Sequence, residues 1–309
     1  MPPLTNTAQI AADLQTYFAK KLLKQAKFKT VLDQFGHVEP LPAASSKTIQ
    51  FVQYADLAIA IDPLTEGVAP SGKALSNTPI TATVDQLGDS VTLTDLAGLT
   101  PKHPTVQKAL KLLGDQASKS YDRSINTVVA AGTAVRYAGG AASRAALVAG
   151  SKITWADVRK EVTRLRNSGA EEFEDGNFVL VVDPSVEQDL MDDPTFEKAA
   201  IAHAQKVGTK SEHYTGTIAQ FAGVTVVRSN HLMTVPAGAG NALTGHISLL
   251  FGTDAYAITD LQKVKTYKQG PGGVTDPLEQ IMTLGWKLAF KAAILNNNYM
   301  ARIESVSEY

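Results

Sequence analysis

Cysteine is absent from all 309 residues, so neither disulfides nor thiolate metal sites contribute, and the redox compartment is unconstrained. A surplus of charge is missing too. Lys plus Arg is 29 and Asp plus Glu is 30, a net charge of -1 that creates no global field for nucleic acid or acidic membranes. Charged residues make up only 19%, which hints that part of the surface is covered by other subunits. No apolar run of about 18 residues occurs. The first residues, Met1-Pro2-Pro3-Leu4-Thr5-Asn6-Thr7, lack a basic-then-apolar leader pattern, so the expectation is a soluble protein made in the cytoplasm with no membrane partner.

The familiar signatures of catalysis are also missing. None of His37, His103, His203, His213, His231 and His246 stands four residues from another, and no HExxH pattern exists. Gly238-Ala239-Gly240 is not followed by the third glycine of a dinucleotide loop, and no GxxxxGK[ST] occurs. Ser151 follows Gly150 without forming a GxSxG elbow. Asp189, Asp192 and Asp193 suit either a cation site or, more simply, a helix end before Pro194. The expectation is no catalytic residue, no cofactor and no metal, although sites assembled only in space escape such a search.

What is present begins with a beam. From Pro104 to Thr133, Val106, Leu110, Leu113, Ala117, Tyr121, Ile125 and Val128 recur at helical spacing. Lys108, Lys111, Asp115, Lys119, Asp122 and Arg123 fill the wet side, and Gly132 is placed to stop the run. Such a helix would reach roughly 40 Å, long enough to serve as a spine. A chain of this length holds one large core or two domains.

Upstream, residues 7–30 read as an amphipathic helix with Ile10, Leu14, Phe18 and Leu22 in steps of four. Lys20, Lys21, Lys24, Lys27 and Lys29 follow with no acid between them. They are either a basic arm against a polyanion or neighbour, or a solvated face whose cations suit the helix C-terminus. Residues 47–95 read as one long hairpin, with Lys47–Tyr54 and Leu57–Ile61 going out and Ile80–Val84 and Val91–Leu93 returning. Its tip is punctuated by Pro63, Gly67, Pro70 and Gly72, and Glu66 is either its most interesting carboxylate or a plain loop acid. A two-stranded ribbon is marginal alone and needs another surface.

Downstream, Thr154-Trp155-Ala156-Asp157 resembles a capping box opening a helix that Gly169 closes. Phe178–Val182 reads as a strand covered on both faces. Ser185 is the expected cap of a short helix to Met191, Pro194 starts another to about Val207, and Pro236–Gly245 looks like a mobile loop. Val224–Val227, Ile247–Phe251 and Val264–Tyr267 supply further strands. Met282 to Ile294 alternates without a break, and Asn296-Asn297-Asn298 is the expected turn to a returning strand, Tyr299–Val306. The chain is expected to close as that antiparallel pair, packed on the spine.

In this order the elements resemble a tailed-phage major capsid protein of the Hong-Kong-97-type fold, and more narrowly the N-four-like coat subfamily. The residues carrying the resemblance are Pro63-Leu64-Thr65-Glu66-Gly67 with Pro70-Ser71-Gly72, and Asp183-Pro184 with Asp189-Leu190. The spine, Asp276-Pro277-Leu278 and Gly285-Trp286-Lys287 add to it. The resemblance implies an α+β fold with an N-terminal arm at 1–46, an extended β-hairpin loop at 47–100 and a peripheral domain at 101–176. It also implies an axial domain with a central sheet at 177–275, and closing strands of the peripheral domain at 276–309. Glu66, Gly67, Pro70 and Lys73 would touch a neighbouring subunit, and the five arm lysines would face packaged double-stranded DNA, bound without sequence preference. The partners implied are the chain itself as hexamers and pentamers, with separate scaffolding, portal and decoration proteins as further candidates. The place of action would be the virion, assembled in the host cytoplasm. Two other readings stay open: an encapsulin-like shell of the same fold, and a carboxylate-dependent hydrolase.

Overall fold

The computed structural model describes residues 30–41, 46–54, 57, 59–61, 63, 66–67, 72–94, 105–196, 198, 220–269 and 280–309. The arm helix expected up to residue 29 lies outside them. So does most of the helix expected from Pro194, of which Pro194–Phe196 are described and helical.

In chain order the strands are β1 (His37–Val38), β2 (Thr48–Tyr54), β3 (Asn77–Thr83), β4 (Asp85–Thr94) and, after helix α1 (Thr105–Val129), β5 (Val135–Tyr137). Helix α2 (Trp155–Asn167), β6 (Phe178–Val182) and helix α3 (Pro184–Met191) follow. The remaining strands are β7 (Gln220–Phe221), β8 (Val224–Arg228), β9 (Thr234–Ala237), β10 (Leu243–Phe251), β11 (Tyr256–Gln269), β12 (Ile281–Ile294) and β13 (Met300–Val306). One sheet has the order β1-β11-β12-β4, a second the order β5-β13-β10-β6-β8-β7 with β9 also on β10, and β2-β3 form a separate ribbon.

Helix α1 has to cover both sheets. Its Leu110, Leu113, Ala117, Ile125 and Val129 share one buried cluster with Leu284, Trp286, Leu288 and Phe290 of β12 and with Val179, Val181, Ile247, Leu249 and Phe251 of β6 and β10. Tyr121 lies 4.5 Å from Phe290, ring centre to ring centre. The helix ends at Val129, short of Thr133, because Ala131 and Gly132 donate to carbonyls three residues back and tighten the last turn. Gly132 packs there against the Met300 side chain, whose end would have to shift to admit a Cβ at 2.9 Å.

The second sheet is buried on both faces. Along β6, Val179 and Val181 face the α1 cluster, while Phe178, Leu180 and Val182 face a second cluster with Trp155, Val158, Val162 and Leu165 of α2 and Val186 and Leu190 of α3. That is why the strand reads as an unbroken apolar run. Thr154 caps α2 as expected, its hydroxyl accepting from the Asp157 N–H and donating to the Asp157 carboxylate at 2.8 Å. Helix α3 differs. Asp183, not Ser185, stands at its N-cap, Pro184 takes the first helical position, and the Asp183 carboxylate meets His246 Nδ1 at 2.8 Å.

Three other expectations are corrected. The closing strands do not pair: β12 joins β11 and β4, whereas β13 joins β10 and β5 in the other sheet. The stretch Asn296–Tyr299 is a crossing between sheets rather than a hairpin turn, and of the two closing strands β12 lies along α1 while β13 adds Met300 to the same cluster. Residues 47–95 are likewise not one hairpin, since β4 leaves the ribbon to pair along β12 from Asp85↔Phe290 to Thr94↔Ile281. The Gly/Ala stretch 236–245 is no mobile loop but the joint of the β9–β10 pair.

Buried carboxylates also depart from the sequence reading. Asp122, placed on the wet side of the spine, is 1% exposed and accepts from the Val31 and Leu32 N–H groups at 3.2 and 3.0 Å. Tyr256 donates its hydroxyl to the Leu32 carbonyl at 2.6 Å, so both backbone groups of Leu32 are held. Glu304, fully buried in β13, takes a two-pronged bond from Arg144, each contact 2.6 Å, and thereby ties the small-residue loop 138–150 to the sheet. Beside the 30–34 turn, desolvation pushes the carboxyls of Asp33 and Asp260 up, and the Asp33 charge adds to the effect on Asp260.

Leu113→Ala removes a side chain that is 1% exposed and should cost about 2–5 kcal/mol in denaturant unfolding; a loss near zero would place α1 outside the core. Asp260 has a raised folded pKa, so its contribution is present below the ordinary carboxylate value and is lost as pH rises through the folded one. Asp260→Asn should therefore gain melting temperature relative to the wild type as pH goes from about 4 to about 7. A difference independent of pH would show that this carboxyl is not desolvated.

Candidate intersubunit surface

The ribbon is held at its root and free beyond it. Its register runs from Thr48↔Thr83 through Phe51↔Ile80 to Tyr54↔Asn77, and the Val84 N–H donates to the Lys47 carbonyl at 2.9 Å. Phe51 and Ala82 pack on Ala257 with Ala293 and Leu295 beside them, and Val84 packs with Leu41 on Ala289. These are the alanines of β11 and β12 on the face away from α1. Large side chains on alternate positions fill the spine cluster, while small ones on the opposite face let the ribbon lie close.

Beyond Phe51 the apolar side chains have no cover. Tyr54 is 62% exposed, Ile59 86% and Ile61 83%, and Val52, Leu57 and Leu75 are exposed as well. Leu57, Ile59 and Ile61 stand at every second position, so an extended backbone puts them on one face. Burying each such side chain is worth about 1.5–3 kcal/mol, and a patch of this size on one element marks an interaction surface. Pro79 sits in β3 opposite Val52, where a missing N–H is tolerated because that edge of the ribbon is unpaired.

Of the residues singled out at the tip, Glu66, Gly67 and Lys73 are exposed and Pro70 lies outside the described residues. Gly67 has φ +77°, the left-handed conformation of a turn, with open space around it. Lys20, Lys21, Lys24, Lys27 and Lys29 also lie outside the described residues. The sequence reading chose the punctuated tip and passed over the stronger feature beside it. The signal was there: Leu57, Ile59 and Ile61 alternate with Ala58, Ala60 and Asp62, an apolar strand pattern for which no intramolecular partner is apparent.

Among the described residues, no group of three or more His, Asp or Glu is placed to hold a metal ion. No described helix is long and apolar enough to cross a membrane.

Comparison with known proteins agrees with this geometry. None of the curated proteins matches the chain in sequence. The fold is similar to the capsid structure of cyanophage P-SCSP1u, with a TM-score of 0.68 and 16% identity over 89% of this chain and 87% of that one. It is similar also to the capsid of Ralstonia phage GP4, with a TM-score of 0.69 and 13% identity over 91% and 92%. The capsid of Helicobacter pylori bacteriophage KHP30 gives 0.67 and 11% over 90% and 92%. The sequence model of a family described as phage capsid protein matches residues 56–302, which is most of the chain. The chain therefore belongs to the phage capsid protein family and is a major capsid protein with the Hong-Kong-97-type fold, its role structural and its place the virion shell.

Proposed function

We propose that this capsid protein closes an icosahedral shell around double-stranded DNA, assembling in the host cytoplasm as hexamers and pentamers clamped by the ribbon. The observation that carries this is the uncovered apolar flank of the ribbon beyond Phe51, which its own subunit leaves in water. A second copy is the partner that family membership supplies. In this reading residues 1–46 are an arm and 47–100 the extended loop. Residues 101–176 with 276–309 form the peripheral domain around α1, and 177–275 the axial domain. Glu66, Gly67, Pro70 and Lys73 meet the neighbour at the tip, and the five arm lysines face the DNA. Many modest contacts on each subunit sum to a stable closed shell.

The raised carboxyls of Asp33 and Asp260 are the feature a hydrolase would use, and they border a cavity of about 200 Å³. Their bonds speak for structure. Asp33 accepts from Thr30 at 3.0 Å, which closes its own turn, and Asp260 accepts from the hydroxyl of Tyr121, which ties β11 to α1.

Electron microscopy of purified protein should show shells or large oligomers. Removing residues 66–73 deletes no core side chain among the described residues and barely changes loop entropy, so the subunit should melt near the wild-type temperature yet form no closed shells. If that deletion unfolds the subunit, the tip belongs to its own core; if shells form normally, the ribbon is not a clamp. Ile59→Ser with Ile61→Ser should raise the concentration needed for assembly by about 100-fold or more. Light scattering that showed an unshifted threshold would remove the apolar flank from the interface.

A further inference from the structure

Beside the middle of α1 the surface opens into a cleft of about 900 Å³. Lys119 and Arg123 enter it from α1, one helical turn apart and so on the same side of the helix. Arg228 and His231 enter from β8 and the β8–β9 connection, with the polar groups of Ser120 and Asn230 beside them. Among the described residues lining the cleft there is no carboxylate and no Phe, Tyr or Trp.

The nearby acids do not neutralise it. Asp122 is buried and spent on the Val31 and Leu32 N–H groups and the Ser229 hydroxyl. Glu187 pairs with Arg228 at 3.3 Å, yet the Arg228 side chain is 56% exposed. Arg123 donates Nη1 to the Leu232 carbonyl at 2.8 Å, which fixes its guanidinium at the cleft wall. Lys119 makes no hydrogen bond or ion pair among the described residues. On a chain of net charge -1, this is a local concentration of cations with no internal purpose for one of them.

We propose that this cleft binds the backbone phosphates of double-stranded DNA, whatever the base sequence, and that the α1 face bearing it looks into the shell. The proposal rests on the reading of the protein as a shell around DNA and names a site for that contact. The side chains are of the kinds that hold phosphate: Arg and Lys for charge, Ser and Asn for neutral donors. An acidic segment of a neighbouring protein would want an aromatic or large apolar anchor as well, and the described walls offer only Val31 and the nearly buried Leu232. In the sequence the basic run from Lys20 to Lys29 ends two positions before Val31, itself a wall residue.

The test uses the full chain and a fluorescently labelled DNA duplex of arbitrary sequence, titrated by anisotropy across a range of salt. Lys119→Gln should weaken binding equally for different sequences and reduce the slope of log affinity against log salt by about 1, and by about 2 when Arg228→Gln is added. Lys119→Arg should restore the wild-type slope. Because Arg228 also pairs with Glu187, melting curves accompany each variant, and Lys119→Gln alone decides if the double variant unfolds. An unchanged slope in Lys119→Gln overturns the proposal. So does unchanged DNA binding with failed shell assembly, which would assign the cleft to an acidic segment of a second copy. Wild-type protein that binds DNA through the cleft but forms no shells would instead defeat the assembly reading and leave this one standing.

Discussion

One helix covering two sheets is the constraint on which the rest of this structure depends. Helix α1 supplies a single apolar stripe, and the two sheets reach it from β12 on one side and from β6 and β10 on the other. Neither sheet can shift without opening the shared core. The arm root is fastened to the same helix through Asp122, whose buried carboxylate holds the Val31 and Leu32 N–H groups. A buried carboxylate is stable only when its hydrogen-bonding capacity is used, and two backbone donors with the Ser229 hydroxyl provide that. The spine thus fixes where the chain before residue 30 departs, while the ribbon leaves from the opposite face of the β12 sheet.

Elements whose neighbours are dictated by their own pattern were legible in the sequence. Phe178–Val182 announced a doubly covered strand because every one of its side chains is apolar, and Thr154 with Asp157 announced the start of α2 because capping is a local bond. Partner choice was not legible. Met282–Ile294 alternates clearly, yet alternation shows which side of a strand is dry and not which strand lies beside it. Its pairing with β4, about 200 residues away, carries no local mark. The Asn296–Asn298 cluster suits a turn, and it does turn the chain, but into the other sheet.

Single charged residues misled for a related reason. Asp122 was read as solvated because the periodic pattern admits a polar side chain there, and Glu304, on which the sequence reading was silent, stands in β13 with no local mark of its burial. What buries them is a donor far off in sequence: the 31–32 backbone in one case, Arg144 in the other. Pattern reading weighs each residue against near neighbours, so it cannot see a partner supplied by the fold. The ribbon shows the converse. Its isoleucines were read as continuing an extended run that needs another surface, and in this subunit they stay exposed.

The pairing of β4 with β12 has a consequence for synthesis. The two strands are about 200 residues apart, so at about 5–20 residues per second β4 waits on the order of 10–40 s after leaving the ribosome before its partner exists. Strands β1 and β5 wait comparably for β11 and β13. Throughout that interval the nascent chain carries open strand edges next to the water-exposed isoleucines of the ribbon, and a polysome holds many such chains side by side. The sequence order that builds a two-sheet subunit therefore makes the growing chain adhesive before it is complete.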